Sequence, residues 1–298
     1  MLLVSAIMAA LVGAGANLPG PGLVHSISRQ MLCAVSLGGG CGSADTLEAA
    51  YGNRLAETIR EQAPELLYGR DMLGLPVDYR TCRSAYCAEG PGEGVISESE
   101  AGEPVTLFTR VIDCREGSDP SLPRAECSDD RVGRLYLQYW AYYPQSASLR
   151  GAPVLEEEGF HPNDWESVQV RMDADGSVSQ RASSHGGHNH TRSKANWGSD
   201  MGWGWLSGLA EKVGVREAGG WGESSGQYLI AGGSHAGNVA DPDRSEDTYP
   251  SRTPAGRIRL VPLERARGDA LSRAASFDPI TPPWEKKLWL DPEEEGTG

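Results

Sequence analysis

The sequence predicts a mainly β protein: a β-sandwich with peripheral helices and a disulfide-pinned N-terminal region. Three observations carry that expectation. From about residue 104 onward, apolar residues recur with period two in a succession of segments separated by turn signals. The long helical pattern lies before that point. Six cysteines (Cys33, Cys41, Cys82, Cys87, Cys114 and Cys127) all fall in the first half of the chain.

The elements follow in order. The opening "MLLVSAIMAALVGAGANLPGPG" is apolar or small through residue 16, and Ala14–Ala16 makes a small-x-small cleavage pattern. The run is short for a membrane span and lacks a basic leader. Residues 1–16 therefore read as a signal peptide or a membrane anchor, with a buried helix as the third alternative. Residues 17–103 read as a Cys-containing helical and irregular region. Within it, "DTLEAAYGNRLAETIREQAPELLY" is helical in pattern. Asp45 and Glu48 suggest a capping box, Leu47, Tyr51, Leu55 and Ile59 share a face, and Pro64 ends the run. Residues 64–103 read as irregular, rich in Gly and Pro, and pinned by Cys82 and Cys87.

Residues 104–298 read as the sandwich. Its strands are "PVTLFTRVIDC", "RLYLQYWAYYP", "WESVQVRMD", "SVSQRASSH", "QYLIAGG" and "GRIRLVPLE". The second is apolar on both faces, which places it centrally in a covered sheet. An aromatic, Gly-rich insertion occupies 186–225, and the tail ends acidic and frayed.

Pairing neighbouring cysteines closes short loops: Cys33–Cys41, Cys82–Cys87 and Cys114–Cys127. The count alone leaves other connectivities open. The spacing contains no CxxC pair, which weighs against a structural zinc site. Even cysteines behind an apolar leader point to an exported protein, extracellular or at the cell surface. The net charge of −14 excludes nucleic acid as the main partner and is compatible with cation binding. Oligomeric state is not legible.

The functional signal centres on "GFHPNDWESVQVRMD". In a strand, Asp164 and Glu166 point to one face and Trp165 to the other. Two like charges sharing a face repel unless water, a base or a cation separates them. His161, just before the predicted strand, can fold over that face. Imidazole nitrogen plus carboxylate oxygens suit a divalent cation, calcium or magnesium rather than zinc. The bland alternative is a solvated edge with a core tryptophan. Of the six histidines, four lie in "SSHGGHNH" and "GGSHAGN". His185 and His235 end predicted strands, where binding sites are built; His188 and His190 read as solvent-facing loop. Ser184 and Ser234 adjoin the two strand-end histidines, and Trp203 lies in the aromatic insertion; these complete the candidate ligand-binding set.

The succession "YWAYYP…HPNDWESVQV…SSHGG…GGSHAGN" resembles the vacuolar protein sorting-associated protein 62 family. More distantly it is similar to the necrosis- and ethylene-inducing (Nep-like) cytolysins, whose heptapeptide GHRHDWE keeps the same His-to-DWE spacing. The likeness spans about residues 132–240. In the cytolysins the heptapeptide His and the DWE carboxylates hold a divalent cation that contacts a sphingolipid head group. That resemblance assigns the metal to His161, Asp164 and Glu166. Phe160, Pro162 and Asn163 depart from the heptapeptide, and Glu156, Glu157 or Glu158 would have to replace an upstream aspartate.

The expected function is thus a binding protein for a small polar ligand, a sugar or glycolipid head group, with possible contact to a membrane surface. A metal-dependent hydrolase built on the same residues is the alternative. A serine hydrolase at Ser234, suggested by G-x-S-x-A, is disfavoured because the later histidine, His235, is its immediate neighbour.

Overall fold

The 13-residue strand Leu135–Ala147 (β4) is apolar in both of its alternating sets, and the computed structural model buries both. The structure describes residues 46–70, 72–90, 92–116, 127, 131–147, 160–184, 187–189, 221–239, 248–273 and 275–294, all within one compact unit, Gly42–Gly298. The leader, Cys33, Cys41 and most of the 186–225 insertion lie outside the described residues. Among the described residues, no helix is long and apolar enough to cross a membrane.

The first helix, Leu47–Glu61 (α1), buries Leu47, Tyr51, Leu55, Ala56 and Ile59, the expected face. Its N-cap is Thr46 rather than Asp45: the Thr46 hydroxyl accepts from the Ala49 amide at 3.2 Å. Gly52, at φ 76°, breaks the helical path, a conformation glycine adopts without steric cost. Tyr51 and Tyr139 pin the helix by donating to the carbonyls of Thr109 and Ile59, each at 2.7 Å.

The next segment corrects the sequence reading. Glu65–Tyr68 is not irregular but a strand, β1, and lies at the heart of the small sheet. It pairs parallel with Gln227–Ile230 (β9) and antiparallel with Ser251–Thr253 (β11). Gly237–Asn238 (β10) and Gly94–Val95 (β2) form the edges of this five-stranded sheet. The disulfide Cys82–Cys87 brackets the short helix Ala85–Ala88 (α2), and Cys114–Cys127 is the second described bridge.

The larger sheet has seven strands. Its main path runs Arg259–Pro262 (β12), Thr106–Asp113 (β3), β4, Phe160–Met172 (β5), Val178–Ser184 (β6) and Gly187–Asn189 (β7). Gly222–Glu223 (β8) also pairs with β6. Both sheets mix parallel and antiparallel pairs. The core cluster between the sheets joins Leu66, Tyr68 and Tyr228 of the small sheet to Tyr139, Val168 and Val170 of the large one. The other face of the large sheet carries an aromatic cluster that includes Phe108, Trp140, Tyr142 and Trp165. That face is covered by residues 77–88 and by the C-terminal segment with Leu263–Arg267 (α3), Ala270–Arg273 (α4) and Lys287–Leu290 (α5). Arg110 ties the cover down, 3.7 Å from the Trp289 ring and 2.8 Å from Glu264.

The described part of the tail is anchored. Glu293 accepts from Tyr136 at 2.8 Å and from the Trp221 indole at 2.6 Å, while Arg131 and Asp291 pair at 2.8 Å. The charge run is thus pinned by arginines and aromatics distant in sequence; its last four residues lie outside the described set.

Two predictions follow from this packing. A Cβ built on Gly237 would lie 2.1 Å from the buried Tyr228 ring. Gly237→Ala should therefore cost about 1–3 kcal/mol of stability, read as a lower denaturant midpoint; an unchanged midpoint would contradict the close approach. Asp78 is buried in the segment that covers the aromatic face. Burial would raise its pKa, but bonds from Arg80 at 2.8 and 2.9 Å, its charge and that of Arg259 outweigh this and hold the carboxyl below its ordinary value. A depressed carboxyl stabilises the fold above the unfolded-state pKa and loses that contribution as pH falls through the folded value. Melting temperature should drop on acidification below about pH 4, and less steeply in Asp78→Asn, which lacks this titration. Equal slopes in parent and variant would rule it out.

Candidate functional site

The polar residues of "NDWE" fall on β5, within a ladder that fixes their directions. Tyr142 is opposite Trp165, Tyr143 opposite Asp164, and Ala141 opposite Glu166. Trp165 therefore enters the aromatic face, while Asp164 and Glu166 face the small sheet, as alternation requires. The strand begins earlier than expected. It starts at Phe160, so His161 lies within it rather than before it. Pro162 and Asn163 look like breakers in sequence, yet pairing continues from Gln145↔Pro162 to Ala147↔Phe160. The irregularity is absorbed by Asn163, at φ 60°.

His235 arrives from the turn between β9 and β10. Ala231 donates to the Ala236 carbonyl at 3.0 Å, and Ser234 supports the turn through its hydroxyl, which accepts from the Ala236 amide at 3.4 Å. His235 itself has φ 55°, an uncommon conformation for a side chain of this size. The turn drives the imidazole inside. Its Nδ1 lies 2.9 Å from Asp164 Oδ2, and the ring stacks flat on Tyr143 at 3.8 Å. Asp164, Glu166 and His235 are 4%, 3% and 0% exposed.

A carboxylate only accepts, so Nδ1 carries the proton of this bond. In the neutral ring Nε2 is then a lone-pair acceptor, and it has no hydrogen-bond partner among the described residues. The hydroxyls of Tyr143 and Tyr228 are likewise buried without one. Burial pushes both phenols well above their ordinary pKa, and the charges of Asp164 and Glu166 push them further. Both remain protonated donors at neutral pH. On the opposite face, Lys286 lies 3.5 Å from the Trp165 carbonyl. Burial lowers its pKa, while Glu166 and Asp164 pull against that shift. Among the described residues, the ammonium that Asp164 and Glu166 act on lies across the sheet.

The other predicted residues are distributed as follows. His161 is partly buried, its Nδ1 3.3 Å from the Pro162 carbonyl. Among the described residues, no group of three His, Cys, Asp or Glu side chains is arranged to hold a metal ion. Ser234 is buried in the turn before His235. Ser184 pairs through its backbone with Gly187; its side chain, like His185, Trp203 and Glu156–Glu158, lies outside the described residues. His188 is not in an irregular loop but in β7, opposite Ser183. Residues the sequence did not single out complete the centre: Tyr143 and Tyr228. The dense "YWAYYP" run signalled the first, since an aromatic strand beside DWE must put a ring next to Asp164. A cleft of 690 Å³ lies alongside, lined by Tyr68, Arg70, Tyr86, Glu89, Gln145 and Ser251 among others. Tyr68 belongs to the core cluster that contains Tyr143 and Tyr228, and Gln145 is two residues beyond Tyr143 on β4.

No protein-family model matches the chain, and no curated protein matches its sequence. Among solved structures it is similar to NLPPya, a Nep1-like protein, in complex with mannosamine: 13% identity, 80% of this chain and 88% of that chain covered, TM-score 0.38. The complex of NLPPya with glucosamine gives 13% identity over the same shares, with a TM-score of 0.36. Scores this low bear on neither fold nor function.

The Asp164–His235 contact predicts the cost of breaking it. His235→Ala removes the imidazole and leaves Asp164 buried without that partner, which should destabilise the fold by about 3–5 kcal/mol. Chemical denaturation measures this directly. A variant within about 0.5 kcal/mol of the parent would behave like an ordinary surface substitution and would show that the pair is not buried in solution.

Proposed function

We propose that the chain is an exported binding protein for a small polar ligand, with Asp164, Glu166 and His235 as its polar centre and a hard divalent cation as their counter-charge. One observation carries the reading: two carboxylates of β5 and the imidazole of the β9–β10 turn are buried together. Withdrawing such groups from water costs several kcal/mol per ion. A cation offsets that cost and leaves a coordination position for a ligand.

Calcium or magnesium fits the donors better than zinc. Magnesium in particular is commonly held by one or two carboxylates, with water and ligand filling the rest of its shell. Such a site does not require three converging protein ligands. In this reading Asp164 and Glu166 supply oxygens, and His235 orients Asp164. His161, near the start of β5, positions water or ligand. The neighbouring cleft accommodates a sugar or lipid head group, with Tyr68 and Gln145 on its polar wall. Export is supported by the apolar leader and by the two described disulfides.

A hydrolase is the second reading, and His235 favours it. An imidazole held at Nδ1 by a carboxylate, with Nε2 left as acceptor, has the arrangement of an oriented general base.

Calorimetry with calcium, magnesium and zinc near neutral pH tests the first reading. The parent should bind, and saturating cation should raise its melting temperature, by about 2.7 kcal/mol of added stability at a hundredfold excess over Kd. Asp164→Asn should lose both effects while remaining folded. Absence of binding in the parent, or parental affinity in Asp164→Asn, would remove the cation from the account. Metal-dependent turnover of ester or phosphoester probes, lost in His235→Asn, would shift the assignment to the hydrolase.

A further inference from the structure

Three elements remote in sequence meet on Asn163, the residue before Asp164. Arg83 lies in the loop closed by the Cys82–Cys87 disulfide, whose cysteines are five positions apart. Its Nη2 donates to Asn163 Oδ1 at 2.8 Å and also to the Ser276 carbonyl. Its guanidinium lies 4.7 Å from the Phe277 ring and 5.8 Å from that of Tyr142. The Tyr142 hydroxyl donates to the same Oδ1 at 2.8 Å. Asn163 Nδ2 in turn donates to the Asp278 carbonyl at 3.4 Å. Asn163 is buried and stands at φ 60°.

Left-handed backbone is tolerated by Gly and Asn, but only Asn also offers an acceptor and two donors there. Opposite Asn163 the ladder skips a pair, between Tyr143↔Asp164 and Gln145↔Pro162. At Asn163 itself the side-chain bonds stand where the ladder has a gap, one residue before the paired Asp164. The next side chain along is the carboxylate that meets His235.

We propose that Arg83 and Asn163 are positioning residues: a clamp, anchored by the Cys82–Cys87 loop and the 276–278 segment, that fixes the Asn163–Asp164 peptide and so aims Asp164 at His235. Its effect on cation binding rests on the function proposed above; its effect on the Asp164–His235 bond does not. The clamp grips from the aromatic side of the sheet, while its consequence appears on the polar side. This is how a covering loop reaches the centre without touching it.

Three full-length variants test the clamp. Asn163→Gly keeps the backbone angle and removes the side chain. Arg83→Met keeps bulk and removes the donors, and Arg83→Lys restores a charge and donors without the planar fork. The first readout is the NMR resonance of the His235 Nδ1 proton, which in the parent should be shifted downfield and slow to exchange. In Asn163→Gly and Arg83→Met it should broaden or move upfield, although circular dichroism shows a folded protein. Arg83→Lys should recover part of the signal. The second readout is magnesium affinity, expected to fall about 10–100-fold, as when groups behind metal ligands are removed. The double variant should be little worse than either single one, because both act through one contact. A parental Nδ1 resonance in Asn163→Gly and Arg83→Met would overturn the clamp. Loss of the resonance in Asn163→Gly and Arg83→Met, with a parent that shows it but binds no magnesium, would uphold the clamp and reject the cation.

Discussion

The β4–β5 ladder is the constraint on which the molecule depends. It runs from Leu135↔Met172 to Ala147↔Phe160, and its middle, residues 135–144 against 163–170, is buried on one of two faces. One face meets the small sheet and α1; the other meets the aromatic layer beneath the C-terminal segment. A shift of one position would exchange Trp165 with Asp164 and Glu166, burying carboxylates among tryptophans and rings against the small sheet. Register here is therefore both a packing requirement and a condition for the polar centre. Aromatic bulk at Tyr142 and Trp165, with ring centroids 5.0 Å apart, makes the correct alignment far better than its neighbours.

Much of this was legible in the sequence because the signals are local. Period two separates Trp165 from its flanking carboxylates, and period 3.6 identifies the buried face of α1. Proximity pairs Cys82 with Cys87 and Cys114 with Cys127. What escaped depends on contacts distant along the chain. "ELLY" is too short to declare itself, and its strand partners lie beyond residue 226. The start of β5 is concealed by Pro162 and Asn163, which only the partner strand reveals as tolerated. His235 was visible as a strand-end histidine, but its union with Asp164 requires the two sheets to be stacked. Arg83 carries no motif at all; its role exists only once the disulfide loop lies on Phe277.

The chain surrounds its acidic groups in two ways. Near the C-terminus, Glu293 is answered by Tyr136, Trp221, Arg134 and Arg171, the last two at 3.3 Å. Trp221 also lies 4.3 Å from the Arg181 guanidinium, and Arg181 donates to the carbonyls of Pro292 and Glu294. That network is crowded with donors and reads as structure. At the other centre the His235 imidazole is held by Asp164 through Nδ1, while among the described residues its Nε2 and the hydroxyls of Tyr143 and Tyr228 have no hydrogen-bond partner. Four donors on Glu293 make a fastening; an imidazole nitrogen and two hydroxyls left open beside His235 make a place for chemistry.

The position of β1 has a consequence for how the chain acquires its shape. It is an early segment that needs β9 and β11 on either side, and β3 likewise waits for β12. Neither sheet can be closed by local contacts, so ordering is paid for in long loops before it is rewarded. During synthesis the apolar edges of β1 and β3 stay open until almost the whole chain is available. Such a polypeptide commits late and cooperatively, and a copy ending before residue 251 would present unpaired strand edges to its neighbours instead of a finished core.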